Sequence, residues 1–176
     1  ITNGDILLIL SFSKILSNDN LKKNISNIVV HESKLPVGKG WSPLSWQVLE
    51  NKNVIPITLF EANQKIDNGK IYIQDVIQLK GNELVDEIRS FQAKKTIDLC
   101  LNFIANFPKI LFNGKSQKGK SSYYKKRTPL DSKIDINKSI KEQFNLLRIV
   151  DNKRYPAYFF FKGKKYILKI IEGENK

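Results

Sequence analysis

The apolar residues of this chain fall into short blocks separated by polar stretches rich in Gly, Pro and Asn. Asp5–Leu10 is a nearly continuous apolar run, the pattern of a parallel strand buried on both faces. Asn27-Ile28-Val29-Val30-His31 predicts a second such strand, with a histidine at its carboxyl end. Between them lies a loop, Ser11–Ser17, followed by room for a helical turn over 18–24. Glu32–Trp41 is a loop carrying Pro36, Gly38 and Gly40. Ser42-Pro43 predicts a helix start, with Ser as N-cap and Pro in the first position, running to about Glu50.

Val54–Glu61 predicts a third strand, in which Pro56 points to irregular or edge pairing. Asp67-Asn68-Gly69 is a turn, and Lys70–Leu79 a fourth strand. Over 83–106 the spacing of Leu84, Ile88, Phe91, Ile97, Leu101 and Ile104 predicts a long amphipathic helix with those residues facing the core and Cys100 beside them. Pro108–Lys126 is a basic, Gly- and Ser-containing linker. Ile136–Val150 predicts a second amphipathic helix, with Ile140, Phe144 and Leu147 on one face. Tyr155–Phe161 and Lys164–Ile171 form a hairpin about Lys162-Gly163. Strands alternating with helices argue for an α/β domain with a largely parallel sheet. Ligands of such sheets bind beyond the strands' carboxyl ends, which selects the loops Ser11–Ser17 and His31–Trp41.

Composition narrows the classes. The chain has 176 residues, 41% of them hydrophobic, enough for one domain with a core and a small appendage. No run approaches the roughly 20 apolar residues of a membrane span. The single cysteine, Cys100, rules out an intrachain disulfide and suits a cytoplasmic protein. With no methionine in the chain, Ile1 is not a translational start, and the chain is expected to be a C-terminal piece of a longer protein. The net charge is +13, which attracts anions in general without defining a site. Lysine, asparagine and isoleucine are all abundant, as an AT-rich genome would give, so the charge is not read as an RNA-binding signature.

His31 is the only histidine. Acid–base work by a histidine therefore falls to it, at a strand's end before a Pro/Gly-rich loop. One His and one Cys do not make a usual zinc shell, and no nucleophile elbow or phosphate-binding P-loop is present. The expected chemistry is acid–base and electrostatic, without metal.

His31-Glu32-Ser33-Lys34-Leu35-Pro36, then Gly40 and Pro43, then Thr58 on a strand, then Asp67-Asn68-Gly69-Lys70-Ile71, resembles the signature of the formyl-tetrahydrofolate-dependent formyltransferases. That family includes methionyl-tRNA formyltransferase, glycinamide ribonucleotide formyltransferase and the sugar N-formyltransferases. The resemblance implies a Rossmann-like formyltransferase fold lacking its N-terminal strands, with a small C-terminal helix and β-hairpin extension. It divides the chain into a catalytic part (1–107), a basic linker (108–126) and the extension (127–176). It implies His31 and Asp67 as the catalytic pair and formyl-tetrahydrofolate as co-substrate. The co-substrate would be held by Leu10, Ser11, Phe12, Ser13, Ile15, Leu16 and Asp67, and the acceptor by Ser33, Lys39, Gly40, Trp41 and Thr58. Two positions depart from the family. Val29 stands where it usually has an asparagine that stabilises the oxyanion, and Phe60 replaces a second histidine. Asn27 lies too far back along the strand to substitute, with Ser33 and loop backbone as candidate donors.

The acceptor is read from the loop that carries both tryptophans. Trp46 is expected to pack its helix onto the sheet, and Trp41 to stack on a sugar or base. Gly40-Trp41-Ser42-Pro43 resembles the sugar-modifying members, which implies an amino-sugar nucleotide acceptor, with the pseudaminic acid pathway as one source. No membrane partner is expected, nucleic acid enters only as tRNA, the alternative acceptor, and a homodimer is compatible with the chain. Two further functions fit the same residues: formyl-tetrahydrofolate hydrolysis, and a catalytically inactive basic module that only binds.

Overall fold

The computed structural model describes residues 1–12 and 14–174. In chain order the elements are β1 (Gly4–Ile9), α1 (Asn18–Leu21), β2 (Asn24–His31), β3 (Lys39–Gly40), α2 (Pro43–Leu49), β4 (Val54–Glu61), β5 (Ile71–Gln78), α3 (Val85–Ala105), β6 (Tyr123–Tyr124), α4 (Ile140–Leu147), β7 (Ala157–Phe161) and β8 (Lys164–Leu168), with two short 3-10 turns at Lys109–Asn113 and Pro129–Ser132.

One four-stranded sheet, in the order β1-β2-β4-β5, organises the molecule. β1 and β2 are parallel, but β2–β4 and β4–β5 are antiparallel. The largely parallel sheet expected from the sequence is therefore a mixed sheet, parallel on one side only. For β4–β5 the reason lies in the connection. Only nine residues join β4 to β5, fewer than the dozen or so that a parallel crossover needs. Pro56 sits in the part of β4 that pairs with β5 alone, since β2 covers only Thr58–Glu61. Its missing N–H thus costs no ladder bond toward β2.

The core lies between the sheet and α2 and α3. Ile28, Ile55, Ile57, Leu59 and Ile77 from the strands meet Leu44 and Val48 of α2 and Ile88, Leu99, Cys100 and Phe103 of α3. The expected stripe on α3 is corrected here. Of its members within the helix only Ile88 is buried, while Phe91, Ile97, Leu101 and Ile104 are 42–60% exposed. Both faces of α3 carry apolar residues, so their spacing does not single out the face that packs. Ser42 also departs from expectation: it precedes α2 in a left-handed conformation (φ 49°) and its side chain makes no cap bond.

Segment 108–126 is tied to the sheet. Lys115 bridges Ile71, and β6 runs parallel to β3. Beyond it α4 packs with the β7–β8 hairpin around Ile134, Leu147, Val150 and Ala157. Arg148, fully buried at the end of α4, joins this unit to the main core. It donates to Glu83 at 3.2 Å, Asn53 at 2.7 Å and Asn145 at 3.0 Å. The hairpin turn has positive φ at Lys162 and Gly163, the geometry whose twist matches the flanking strands.

Candidate active site

A cavity of about 640 Å³ opens beyond the carboxyl ends of β1 and β2. Ile9, Ser11, Phe12, Ile15 and Leu16 form one wall, Gly40, Trp41, Ser42 and Pro43 another, and His31, Glu32 and Asp67 converge between them. The volume is that of an ordinary small-molecule site. His31 comes from the last residue of β2, paired across the sheet with Thr58. Asp67 comes from the loop between β4 and β5, at φ 46°, a conformation that aspartate tolerates better than most residues. The loop is locked where it turns back, because a side chain at Gly69 would collide with the carbonyl of Glu61.

The imidazole Nε2 of His31 lies 2.7 Å from the Gly38 carbonyl and 3.8 Å from Asp67 Oδ2. A carbonyl only accepts, so Nε2 carries the hydrogen and the lone pair of the neutral ring is on Nδ1. Asp67 Oδ2 also accepts from the backbone N–H of Gly40 at 2.8 Å, and Gln117 donates to the Asp67 carbonyl. The carboxylate is thus held by Gly40 and the backbone of Asp67 by Gln117, two segments that meet only in the fold. Below it Lys39 is buried and donates to Asn68 at 2.8 Å. Burial pushes the Lys39 ammonium below its ordinary value, and the charge of Asp67 opposes the fall.

The other expected site residues are distributed unevenly. Ser11, Phe12, Ile15 and Leu16 line the cavity, as do Gly40 and Trp41. Leu10 does not line it, and Ser13 lies outside the described residues. Thr58, Ser33 and Lys39 are buried behind the wall. There the Thr58 hydroxyl donates to the Ser33 carbonyl at 2.7 Å and supports the turn after His31. Ser33 Oγ is buried without a partner. Asn27 is committed elsewhere, its amide donating to Leu21. Val29 and Phe60, the two departures from the family pattern, are direct cross-strand partners and both line the cavity. Where the family has two polar side chains, this wall is apolar on both strands.

The second wall is backed by the basic segment. Any side chain at Gly40 would strike the Tyr124 carbonyl, so β3 and β6 approach as closely as backbone allows. That contact brings Lys126 over the Trp41 ring at 4.9 Å and Lys125 over Trp46 at 5.3 Å. Trp46 stacks on Tyr124 and donates to the Lys125 carbonyl. It therefore packs the basic segment instead of the sheet, a place Leu44 and Val48 already fill. Glu32 and Gln92 of α3 also line the cavity, and neither was expected there from the sequence. Glu32 stood inside the motif, but nothing in the sequence pairs it with Gln92, sixty positions on.

Residues 2–99 match the formyl transferase family model. The chain belongs to that family. Two relatives of this formyl transferase chain are the bifunctional polymyxin resistance protein ArnA of Wigglesworthia glossinidia brevipalpis and the methionyl-tRNA formyltransferase of Thermodesulfovibrio yellowstonii. The first is 31% identical over 93% of this chain and 25% of its own. The second is 26% identical over 98% of this chain and 55% of its own. The chain thus spans about half, or less, of the curated relatives it matches. Among solved structures, a 4-N formyltransferase from Francisella tularensis superposes with a TM-score of 0.77 at 19% identity, covering 97% of this chain and 72% of that one. HypX from Aquifex aeolicus, solved in complex with tetrahydrofolic acid, gives 0.75 at 15% identity over 94% and 29%. These likenesses establish the formyltransferase fold. No helix among the described residues is long and apolar enough to cross a membrane.

Proposed function

We propose that this chain is the catalytic part of a cytoplasmic N-formyltransferase that moves a formyl group from formyl-tetrahydrofolate to the amine of an amino-sugar nucleotide. The observation that carries the reading is the convergence of His31 and Asp67, 3.8 Å apart, between a largely apolar wall and a wall bearing Trp41 beneath Lys126. Ile9, Phe12, Ile15 and Leu16 suit a flat heteroaromatic ring, and a tetrahydrofolate complex among the structural neighbours supports folate there. Trp41 with Lys126 suits a sugar or base followed by a diphosphate. We divide the labour among residues 1–107 for catalysis, 108–126 for the acceptor wall and 127–176 for support.

Formyl transfer needs a neutral amine nitrogen to attack the formyl carbon, and a proton must leave that nitrogen as the tetrahedral oxyanion forms. In this reading neutral His31 takes the proton. Asp67 stabilises the resulting imidazolium, and that positive charge faces the oxyanion. With Val29 and Phe60 apolar, the charge on His31 carries more of this stabilisation than a wall with an amide would require. A second reading, methionyl-tRNA as acceptor, is favoured by the curated relatives, and water as acceptor would make the same site a hydrolase. Steady-state formyl transfer by the full-length protein separates them. The expected result is turnover with dTDP- or UDP-linked amino sugars. Formylation of initiator methionyl-tRNA alone, or only release of formate, would overturn the sugar reading.

A further inference from the structure

Glu32 lines the same cavity as His31 and Asp67, and the mechanism proposed for that pair does not use it. Two helices hold it in place. Gln47 of α2 donates to its backbone carbonyl at 2.6 Å, and Gln92 of α3 donates to its Oε1 at 2.7 Å. Burial pushes its carboxyl above the ordinary range, against the Gln92 hydrogen bond and the charge of His31, and Asp67 adds to the rise. The other titratable groups of the cavity are Lys14 and Lys65, from the loops after β1 and β4. Holding a half-buried carboxyl beside a second carboxylate is unfavourable, and an apolar residue would fill the same space. A cationic ligand group would repay that cost.

Amine formylation calls for such a group. A primary amine reaches the enzyme largely as an ammonium and must lose two protons, one before it attacks and one after. Neutral His31 can accept only one of them. We propose that Glu32 binds the ammonium of the acceptor and takes its first proton, leaving His31 to take the second. In the first step an N–H bond breaks and an O–H bond forms, so ammonium and carboxylate become amine and carboxylic acid. The freed lone pair then forms the C–N bond to the formyl carbon, and the carbonyl electron pair moves to oxygen. The second N–H proton passes to His31. Collapse of the oxyanion expels the tetrahydrofolate nitrogen, which receives its proton from His31. Glu32 then loses its proton to solvent. The assignment rests on the amine-formylation reading and holds for a sugar or a methionyl amine alike.

The test uses full-length Glu32→Gln protein, which keeps the shape and an acceptor for Gln92. Its acceptors are dTDP- and UDP-linked amino sugars and initiator methionyl-tRNA. KM for whichever amine the wild type formylates should rise about tenfold to a hundredfold, the usual weight of a hydrogen bond to a charged group. KM for formyl-tetrahydrofolate should stay unchanged. Inhibition by the matching hydroxyl sugar nucleotide should also stay unchanged, and raising the pH, so that the amine arrives neutral, should shrink the defect. A normal amine KM, or a defect equal at all pH values, would overturn the assignment. Should Glu32→Gln fail to fold, Gln92→Leu removes the donor that favours the carboxylate. It should move the acid limb of the amine kcat/KM profile upward, and an unmoved limb overturns the proposal. If the wild type formylates no amine while retaining folate turnover, the function reading fails first and Glu32 loses its ligand with it.

Discussion

Of the side chains in the cavity, His31 is the one whose loss should remove turnover without removing folate. Under the proposed function its imidazole acts on the proton and charge of the transition state, whereas the wall of Ile9, Phe12, Ile15 and Leu16 holds the co-substrate. His31→Ala should lower kcat by about a hundredfold to ten-thousandfold, toward the upper end because Val29 and Phe60 offer no substitute donor. Asp67→Asn keeps the shape and the bond from Gly40 but removes the charge beside the imidazole, and should also be severe. Stopped-flow formyl transfer paired with folate titration checks both, and His31→Ala with near-normal turnover would show an inherited motif without its chemistry. That His31 and Asp67 would share one cleft was legible through the family resemblance, whose motif contains both, and they meet at 3.8 Å; their catalytic role belongs to the proposed function. Thr58 and Ser33 were legible as motif members, and Lys39 as a neighbour of the motif's Gly40, but none as a buried support, since the motif fixes identity and says nothing of which side of the wall a side chain occupies. Glu32 with Gln92 was not legible, because that contact exists only once α3 crosses the end of β2.

Among the elements, β4 matched its sequence boundaries and β1, β2, α2 and β5 lay within a few residues of theirs, since Gly, Pro and Asn punctuate each. Strand direction was only partly legible: the continuous apolar runs of β1 and β2 fit their parallel pairing, the short β4–β5 connection excludes a parallel crossover there, and nothing in the pattern marks β2–β4 as antiparallel. The packing face of α3 was hidden for a related reason, its apolar residues covering more than one stripe. The join between α3 and the unit beyond α4 gives a test at this scale. Asp151 accepts from the backbone N–H of Arg154 at 3.0 Å and of Lys153 at 2.9 Å, and from Arg89 of α3 at 2.9 Å. The Arg154 bond foremost, then Lys153 and Arg89 against the opposing effect of burial, pull its carboxyl down to about 2 from 3.8. A carboxyl lowered in the folded state stabilises it fully above its unfolded value, and the contribution disappears as pH falls through the folded value. Asp151→Asn should therefore be less stable than wild type by a constant margin from about pH 7 to about pH 5, and the margin should narrow progressively below that and close as pH falls through about 2. Urea unfolding across that range is the measurement, and a margin that stays open at the acid end would contradict the linkage.

For the molecule as a whole, the question is whether the charge of +13 serves the site or merely surrounds it. Composition could not decide this, because lysines spread along the chain attract any anion. The fold makes the distinction by pairing β6 with β3. That contact sets the segment Lys115–Arg127, with five lysines, one arginine and no acidic residue, behind the Trp41 wall. A basic surface at a cavity mouth raises the local concentration of an anionic substrate and so acts on association more than on the chemical step. For a nucleotide-diphosphate sugar, kcat/KM should fall several-fold as ionic strength rises from about 0.02 to about 0.2 M, while kcat changes little, since screening shortens the reach of the field to roughly 8 Å near physiological salt. Lys118, Lys120 and Lys126 are exposed, so replacing them together with glutamate should spare the fold. The replacement should lower kcat/KM at low salt and flatten its salt dependence, and an equal number of glutamates at Lys94, Lys141 and Lys164, which neither line the cavity nor belong to the basic segment, should do much less. Equal effects from the two sets would mean that only net charge matters, and that the basic segment has no particular part in bringing the acceptor to His31.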